Sequence, residues 1–407
     1  MDSGIMVDTG MRSSPLIPEE LAEEVLQGFR DRHPLAGAPK LFFAPGRVNL
    51  MGAHLDYSGG AVLPAAIDRG TLIAVAPRSD GRVHFSSSLQ AGDHLFELSM
   101  LPQVATGTWA DYPLGVLRGL LSKLEALPGG ASLHFGGNLP IGAGLSSSAS
   151  ICVGTALALG EVWGLELEAI DHVHLALSAE REFVGVQCGI MDPYAVGLAR
   201  AGTLLWLECG EVRYEHLPLD TSRVSILVAD TMVRRELATS EFNQRVDECR
   251  RAFELLKRGQ PEARCLAEVN METLSAHAGD LGPVLARRAG HVIAEVTRTE
   301  VAREGLMAGK PEILGAKMLE AHASLRGLYE VSCPELDRLV EVAGSCEEVL
   351  GGRLTGAGFG GACVFLVERG GEERVSAELK QGFREVFEHD PEVAVFQAVG
   401  GPFELEA

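Results

Sequence analysis

The chain has 407 residues, 46% of them hydrophobic, which is enough for two domains sharing an extensive interface. Its formal net charge of −21 excludes a nucleic-acid groove or an anionic membrane as a partner, so an anionic ligand would have to be held by local features such as helix termini, single arginines and a metal ion. The eight cysteines are scattered, with no Cys-x-x-Cys pair and no zinc spacing, which predicts free thiols in a reducing cytoplasm rather than a disulfide framework.

Residues 1–17 lack an apolar core flanked by basic residues and read as a disordered leader, not a signal peptide. No window has the uninterrupted apolar length that a bilayer span needs. A helix is predicted from Pro18 to about Asp31, with proline in the first turn and acids near its N-terminus. The apolar strand 41–44 runs into PGRVNLMGAHLDYSGG at 45–60, where Arg47, Asn49, His54, Asp56 and Tyr57 stand among glycines. So many mixed donors and acceptors suggest a binding loop held by a scaffold; the bland alternative is a hydrophilic surface turn. Val48 and Leu50 alternate with Arg47 and Asn49, so burying the first pair aims the second in one direction.

Short strands at 61–66, 71–76, 82–86 and 94–98, with turns at 68–70 and 79–82, predict a mostly antiparallel sheet with helices packed on it. A helix follows at 112–127. Next comes NLPIGAGLSSSAS at 138–150, set between a strand at 132–135 and a helix of small apolar residues at 151–159. Gly142 and Gly144 let the backbone turn and let a ligand approach, and the serines sit where unpaired helix N–H groups begin. That is an anion site suited to polyphosphate. It is not a Walker A loop, since no lysine is present, and the glycine spacing is not that of a dinucleotide fingerprint. Taken alone, a glycine turn capped by serines fits equally well.

A helix at 168–185 leads to CGIMDPYAVG at 188–197, where Asp192 stands among apolar residues. A free carboxylate is costly there, so a cation is expected beside it, with Arg47 as the candidate. A hairpin at 202–217 and a strand at 224–230 follow, and a second domain begins near that strand, giving domains 18–222 and 223–407. Helices are predicted near 240–257, 262–277, 283–304, 312–330 and 334–346. In the last distinctive stretch, GGRLTGAGFGGACVFLV at 351–367, Gly356, Gly358, Gly360 and Gly361 crowd together just before a strand at 362–367 and suggest a second place where backbone comes close to a ligand.

In this order the three glycine-bearing motifs resemble those of galactokinases, within the wider family of small-molecule kinases that includes homoserine, mevalonate and phosphomevalonate kinases. GTWADYPLGV at 107–116, CGIMD at 188–192 and VRRELATSEF at 233–242 extend the resemblance over nearly the whole chain. It implies a mixed α+β, two-domain kinase fold with the active site in the cleft between domains. The implied activity is transfer of the γ-phosphoryl of ATP to the anomeric C1 hydroxyl of a hexose. Asp192 matches the catalytic carboxylate, as base or orienting group, and Arg47 the arginine beside it. Ser147 and Glu180 match Mg2+ ligands; Gly142, Ala143, Gly144, Leu145, Ser146, Ser147 and Ser148 match the phosphate cradle, and Trp109 a nucleotide-side aromatic. Asn49, Ala53, His54, Asp56, Gly189 and Phe242 match sugar-pocket positions.

Two of these depart from the pattern. Galactokinases carry Glu in place of Ala53, against the sugar's C6 hydroxyl, and usually Tyr in place of Phe242. Plant galacturonokinases also have Ala at the first position. The implied substrate is therefore galactose or a C6-modified relative such as galacturonate. A catalytically silent sugar or nucleotide sensor is the alternative from another class; such regulators lose residues that the intact 146–149 segment keeps here. The expected setting is cytoplasmic, as a monomer or weak homodimer with a small-molecule sugar and neither nucleic acid nor membrane as partner.

Overall fold

A computed structural model describes residues 17–140, 144–186, 188–234 and 238–405. The expected leader lies outside these residues apart from Ile17, and so do Gly142 and Ala143 of the phosphate loop.

Helix α1 (Glu19–Arg32) precedes β1 (Lys40–Asn49), β2 (Ala61–Val62), β3 (Pro64–Arg78), β4 (Arg82–Ser87) and β5 (His94–Glu97). Then come α2 (Asp111–Leu121), β6 (Gly130–Gly137), α3 (Ser147–Val162), α4 (Ala169–Ser178), α5 (Met191–Gly197), β7 (Thr203–Glu208) and β8 (Arg213–Pro218). The second half holds β9 (Val224–Asp230), α6 (Ala238–Leu256), α7 (Met271–Ala276), α8 (Ala278–Met307), α9 (Pro311–Ser324) and α10 (Pro334–Ala343). It ends with β10 (Val349–Thr355), β11 (Ala362–Glu368), α11 (Glu372–Phe387), β12 (Glu392–Phe396) and β13 (Phe403–Leu405).

Three sheets result, in the orders β13-β1-β3-β6-β4-β5, β10-β11-β9-β12 and β2-β7-β8. Pairing is antiparallel except between β4 and β6, so the expected mostly antiparallel sheet is present. Period-two alternation splits the first sheet's side chains cleanly. Phe42, Ile73, Val75, Leu133 and Phe135 pack under α2, α3 and α4, while Phe43, Leu72, Ala74 and Ala76 meet Val25 and Phe29 of α1. A further core joins Val48, Leu50, Leu139 and Leu145 of the motif segments to Ile226, Val228, Val364 and Leu366 of the second sheet and to Leu314 and Met318 of α9. The chain's last strand returns to pair with β1, Leu41 opposite Leu405.

Several predicted boundaries move. β1 does not stop at Ala44 but continues to Asn49, and Asp68-Arg69-Gly70 is not a turn but part of β3. Both differences have one cause: the register shifts between Pro45 and Gly46, where Pro45 pairs with Gly70 and Gly46 with Ile67. The breakers on the two strands sit opposite each other in a bulge, where proline is tolerated. The helix expected at 262–277 shrinks to α7, because Asn270 Oδ1 accepts the Thr273 N–H (2.8 Å) and caps it there. Gly351 and Gly352 let β10 pack closely. A side chain on Gly351 would collide with the Gly315 carbonyl, and one on Gly352 with the Phe365 ring.

Candidate active site

Helix α3 is apolar all round and buried, which fixes its N-terminus with respect to the first sheet. Ser150 fastens it: its hydroxyl donates to the Ala44 carbonyl (2.7 Å) and accepts the Thr71 N–H (3.2 Å). The chain enters α3 through two left-handed residues, Gly144 (φ 74°) and Ser146 (φ 60°, ψ 52°). A serine held in that region is costly unless its surroundings impose it. Here the imposing group is Arg47. Its backbone N–H donates to the Leu145 carbonyl (3.1 Å) and its Nη1 to the Gly144 carbonyl (2.6 Å).

The rest of the Arg47 fork grips Asp192, Nε to Oδ1 at 2.7 Å and Nη2 to Oδ2 at 2.6 Å. The Ser146 hydroxyl also donates to Oδ2. Strand β1, the serine loop and the first turn of α5 therefore converge on one carboxylate, and the arginine expected beside Asp192 is there. Oδ2 has two donors and Oδ1 one, so Oδ1 is the oxygen with room for a further donor. The Arg181 guanidinium donates to the Cys188 carbonyl through Nε (3.0 Å) and Nη2 (2.7 Å), holding the turn before Gly189.

Past α4 the helix widens into a π-helical turn, Ala179–Val184, a distortion common at functional sites. It buries Glu180, which is 3% exposed, and leaves Glu180 Oε2 with no partner among the described residues. Burial, reinforced by the charge of Asp192, pushes its carboxyl up to about 7, against the opposing hydrogen bond from Ser148. The serine facing Glu180 is thus Ser148, one residue beyond Ser147.

On the sugar-motif side, Asp56 and Gly189 are in contact: a side chain at 189 would collide with the Asp56 carboxylate. Burial and the neighbouring Asp192 charge push Asp56 up to about 6. His54 (φ 62°) is buried and uncharged, and its Nδ1 pairs with the Tyr57 hydroxyl (2.7 Å), which pairs in turn with Tyr329 (2.8 Å). Phe242 closes this group, its ring centroid 5.5 Å from that of Tyr57 and 6.0 Å from that of His54. Among the described residues, nothing pairs with the buried Asn49 Oδ1 and His54 Nε2. Trp109 is set apart. Its ring packs edge-on against Phe135 and His94, and its N–H reaches the Gly92 carbonyl (3.4 Å). Tyr112, three residues on, is an aromatic close to Glu180: burial first, and then the Glu180 charge, push its hydroxyl up.

Residues 111–200 match the description of the GHMP kinases N terminal domain, and 302–385 that of the GHMP kinases C terminal. With the paired sheets and the serine loop, they define a small-molecule kinase fold. The mevalonate kinase of Methanococcus jannaschii shares it at a TM-score of 0.62 and 19% identity, over 89% of this chain and 99% of that one. Residues 28–77 match the galactokinase galactose-binding signature. A structure of Lactococcus lactis galactokinase complexed with galactose superposes at a TM-score of 0.87 with 31% identity, covering 94% of this chain and 100% of that one. Galactokinases of Bacillus subtilis (39% identical; 81% of this chain, 85% of that) and Thermococcus kodakarensis (39%; 88% and 98%) are similar along most of their length. The chain belongs to the galactokinase family and is a sugar kinase, a phosphotransferase.

Proposed function

We propose that this protein transfers the γ-phosphoryl of ATP to the C1 hydroxyl of galactose or of a close relative altered at C6. The observation that carries the reading is the two-point grip of Arg47 on Asp192 beside the serine loop. The guanidinium holds both carboxylate oxygens and keeps the group oriented. Asp192 Oδ1 accepts the proton side of the C1 hydroxyl, aligning that oxygen for in-line attack. Arg47 and the amides at the start of α3 face the charge on the transferring group.

The donor set fits a magnesium ion. Glu180 offers a buried, unpartnered oxygen beside the Ser148 hydroxyl, and hard oxygens of this kind suit that cation. Glu180 and Ser148 would hold it, and when bound it would supply positive charge against the phosphates. Asp56, Gly189, Asn49 and His54 line the sugar side, and Trp109 remains the expected nucleotide-side aromatic, with Tyr112 closer to the metal position.

Ala53 is 3% exposed and brings no charge to the C6 side. The curated relatives named above are galactokinases, which favours galactose; Ala53 and Phe242 leave a C6 carboxylate admissible. The test is an ADP-release screen over galactose, galacturonate, N-acetylgalactosamine, glucuronate and arabinose. Turnover on a galacto-configured sugar supports the reading, and ADP release independent of every sugar overturns it.

A further inference from the structure

Residues 49–53 join the end of β1 to the sugar loop, and all five are buried. Buried backbone groups need partners, and strand pairing supplies few of them here. Leu63 takes two: it accepts the Leu50 N–H (3.0 Å) and donates to the Met51 carbonyl (3.0 Å). Most of the rest go to side chains from the second half of the chain. Arg353 of β10 donates from Nη2 to the Asn49 carbonyl (2.6 Å) and from Nε to the Leu50 carbonyl (2.7 Å). Glu295 of α8 accepts the Gly52 N–H (3.2 Å) and the Ala53 N–H (3.1 Å) on one oxygen, Oε1. His291 donates from Nε2 to the Ala53 carbonyl (3.3 Å), which leaves Nδ1 to accept from the Ser324 hydroxyl (2.8 Å).

The two charges are matched to the two ends of the peptide dipole, the cation on carbonyls and the anion on amides. Neither is solvated: Arg353 is 1% exposed and Glu295 0%. Glu295 spends its second oxygen on Arg298 Nε (2.7 Å), and Arg353 its third nitrogen on the Leu354 carbonyl (2.6 Å). Well-packed apolar residues would be at least as stabilising as such buried charges, so packing alone gives no reason for them. Holding the end of β1 and the four irregular residues after it still does. His54, the next residue, sits at φ 62°, a conformation that a histidine keeps only where its neighbours fix it.

We propose that Glu295 and Arg353 are positioning residues for sugar binding, clamping 49–53 so that Asn49, Ala53 and His54 are in place before the sugar arrives. This rests on the sugar-kinase reading of the same site. Glu295→Gln keeps an acceptor but turns an amide N–H toward Arg298; Arg353→Lys keeps the charge and loses the planar fork. Each variant is expected to raise the KM for the sugar by about tenfold while the KM for ATP stays within about twofold, with unfolding still cooperative. Sugar and ATP constants rising together, or an unchanged sugar KM in a folded variant, overturns the clamp.

Should the variants fail to fold, hydrogen exchange on the wild-type protein decides. The Gly52 and Ala53 amides should exchange as slowly without sugar as the core amides of β1; exchange within seconds overturns the proposal. A wild-type enzyme that turns over no sugar would bring down the proposed reading of the site, whereas loss of protection at these amides in an active enzyme would bring down the clamp alone.

Discussion

Glu180→Gln should make the ligand-free protein more stable above neutral pH while making the enzyme worse. Burial holds the Glu180 carboxyl near 7 rather than at its ordinary 4.5. At 1.36 kcal/mol for each pH unit, keeping it ionised in the folded protein costs about 3 kcal/mol. The folded state binds this proton more tightly than the unfolded one. The stability it contributes is therefore full below about pH 4.5, falls as pH rises toward 7, and is lost above that. Glutamine has no proton to lose. The stability of the variant relative to wild type should grow across that window and level off above pH 7, at about 3 kcal/mol at most.

The magnesium dependence runs the other way. Proton and metal compete for the same carboxylate, so wild-type affinity should drop about tenfold for each pH unit below 7, and the variant should bind weakly with little pH dependence. Urea unfolding of both proteins without metal or nucleotide, from about pH 5 to about pH 8, measures the first effect; magnesium titration of the rate measures the second. A stability difference that is the same at both ends of the range, or an unchanged magnesium dependence, refutes the assignment of Glu180.

Asp192→Asn turns an N–H toward the donors of Arg47 and Ser146; turnover should fall by about two to four orders of magnitude with ATP binding retained, and near-normal turnover would remove Asp192 from the chemistry. Ser148→Ala should disturb the magnesium dependence of the rate more than Ser147→Ala, since Ser148 faces Glu180; the reverse order would restore Ser147 as the ligand. Ala53→Glu should move kcat/KM toward galactose and away from galacturonate, because a like-charge contact at about 4 Å is worth roughly 4 kcal/mol at an effective dielectric near ~20. A wild-type enzyme that takes galactose well and ignores galacturonate sinks the C6-acid reading.

What could be read in the chain depended on whether the signal was local. Alternation of Val48 and Leu50 with Arg47 and Asn49 is visible along one strand, and the structure buries both apolar residues as that pattern requires. The pairing of Arg47 with Asp192 was legible across the chain because a carboxylate among apolar residues needs a cation. The bulge was not. Pro45 and Asp68-Arg69-Gly70 each look like a break, and only strand pairing shows that they lie opposite one another. The three serines are harder still. Ser146 stands outside the helix in a left-handed conformation and reaches Asp192, while Ser148, inside the first turn, reaches Glu180. Identical neighbours in the sequence give no hint of this division.

A chain of net charge −21 nevertheless builds its site around arginines. Glycine-bearing segments such as 144–146 and 49–53 leave carbonyls short of strand or helix partners, and an arginine can satisfy them. Arg47 takes that of Gly144, Arg181 that of Cys188, and Arg353 those of Asn49, Leu50 and Leu354. A guanidinium can do this and still offer further N–H groups in a fixed plane, which an ammonium cannot. Arg47 uses the surplus on Asp192, so the group that stills the phosphate loop also orients the carboxylate. Loop geometry and carboxylate geometry are therefore coupled through one side chain, and neither can be displaced without disturbing the other.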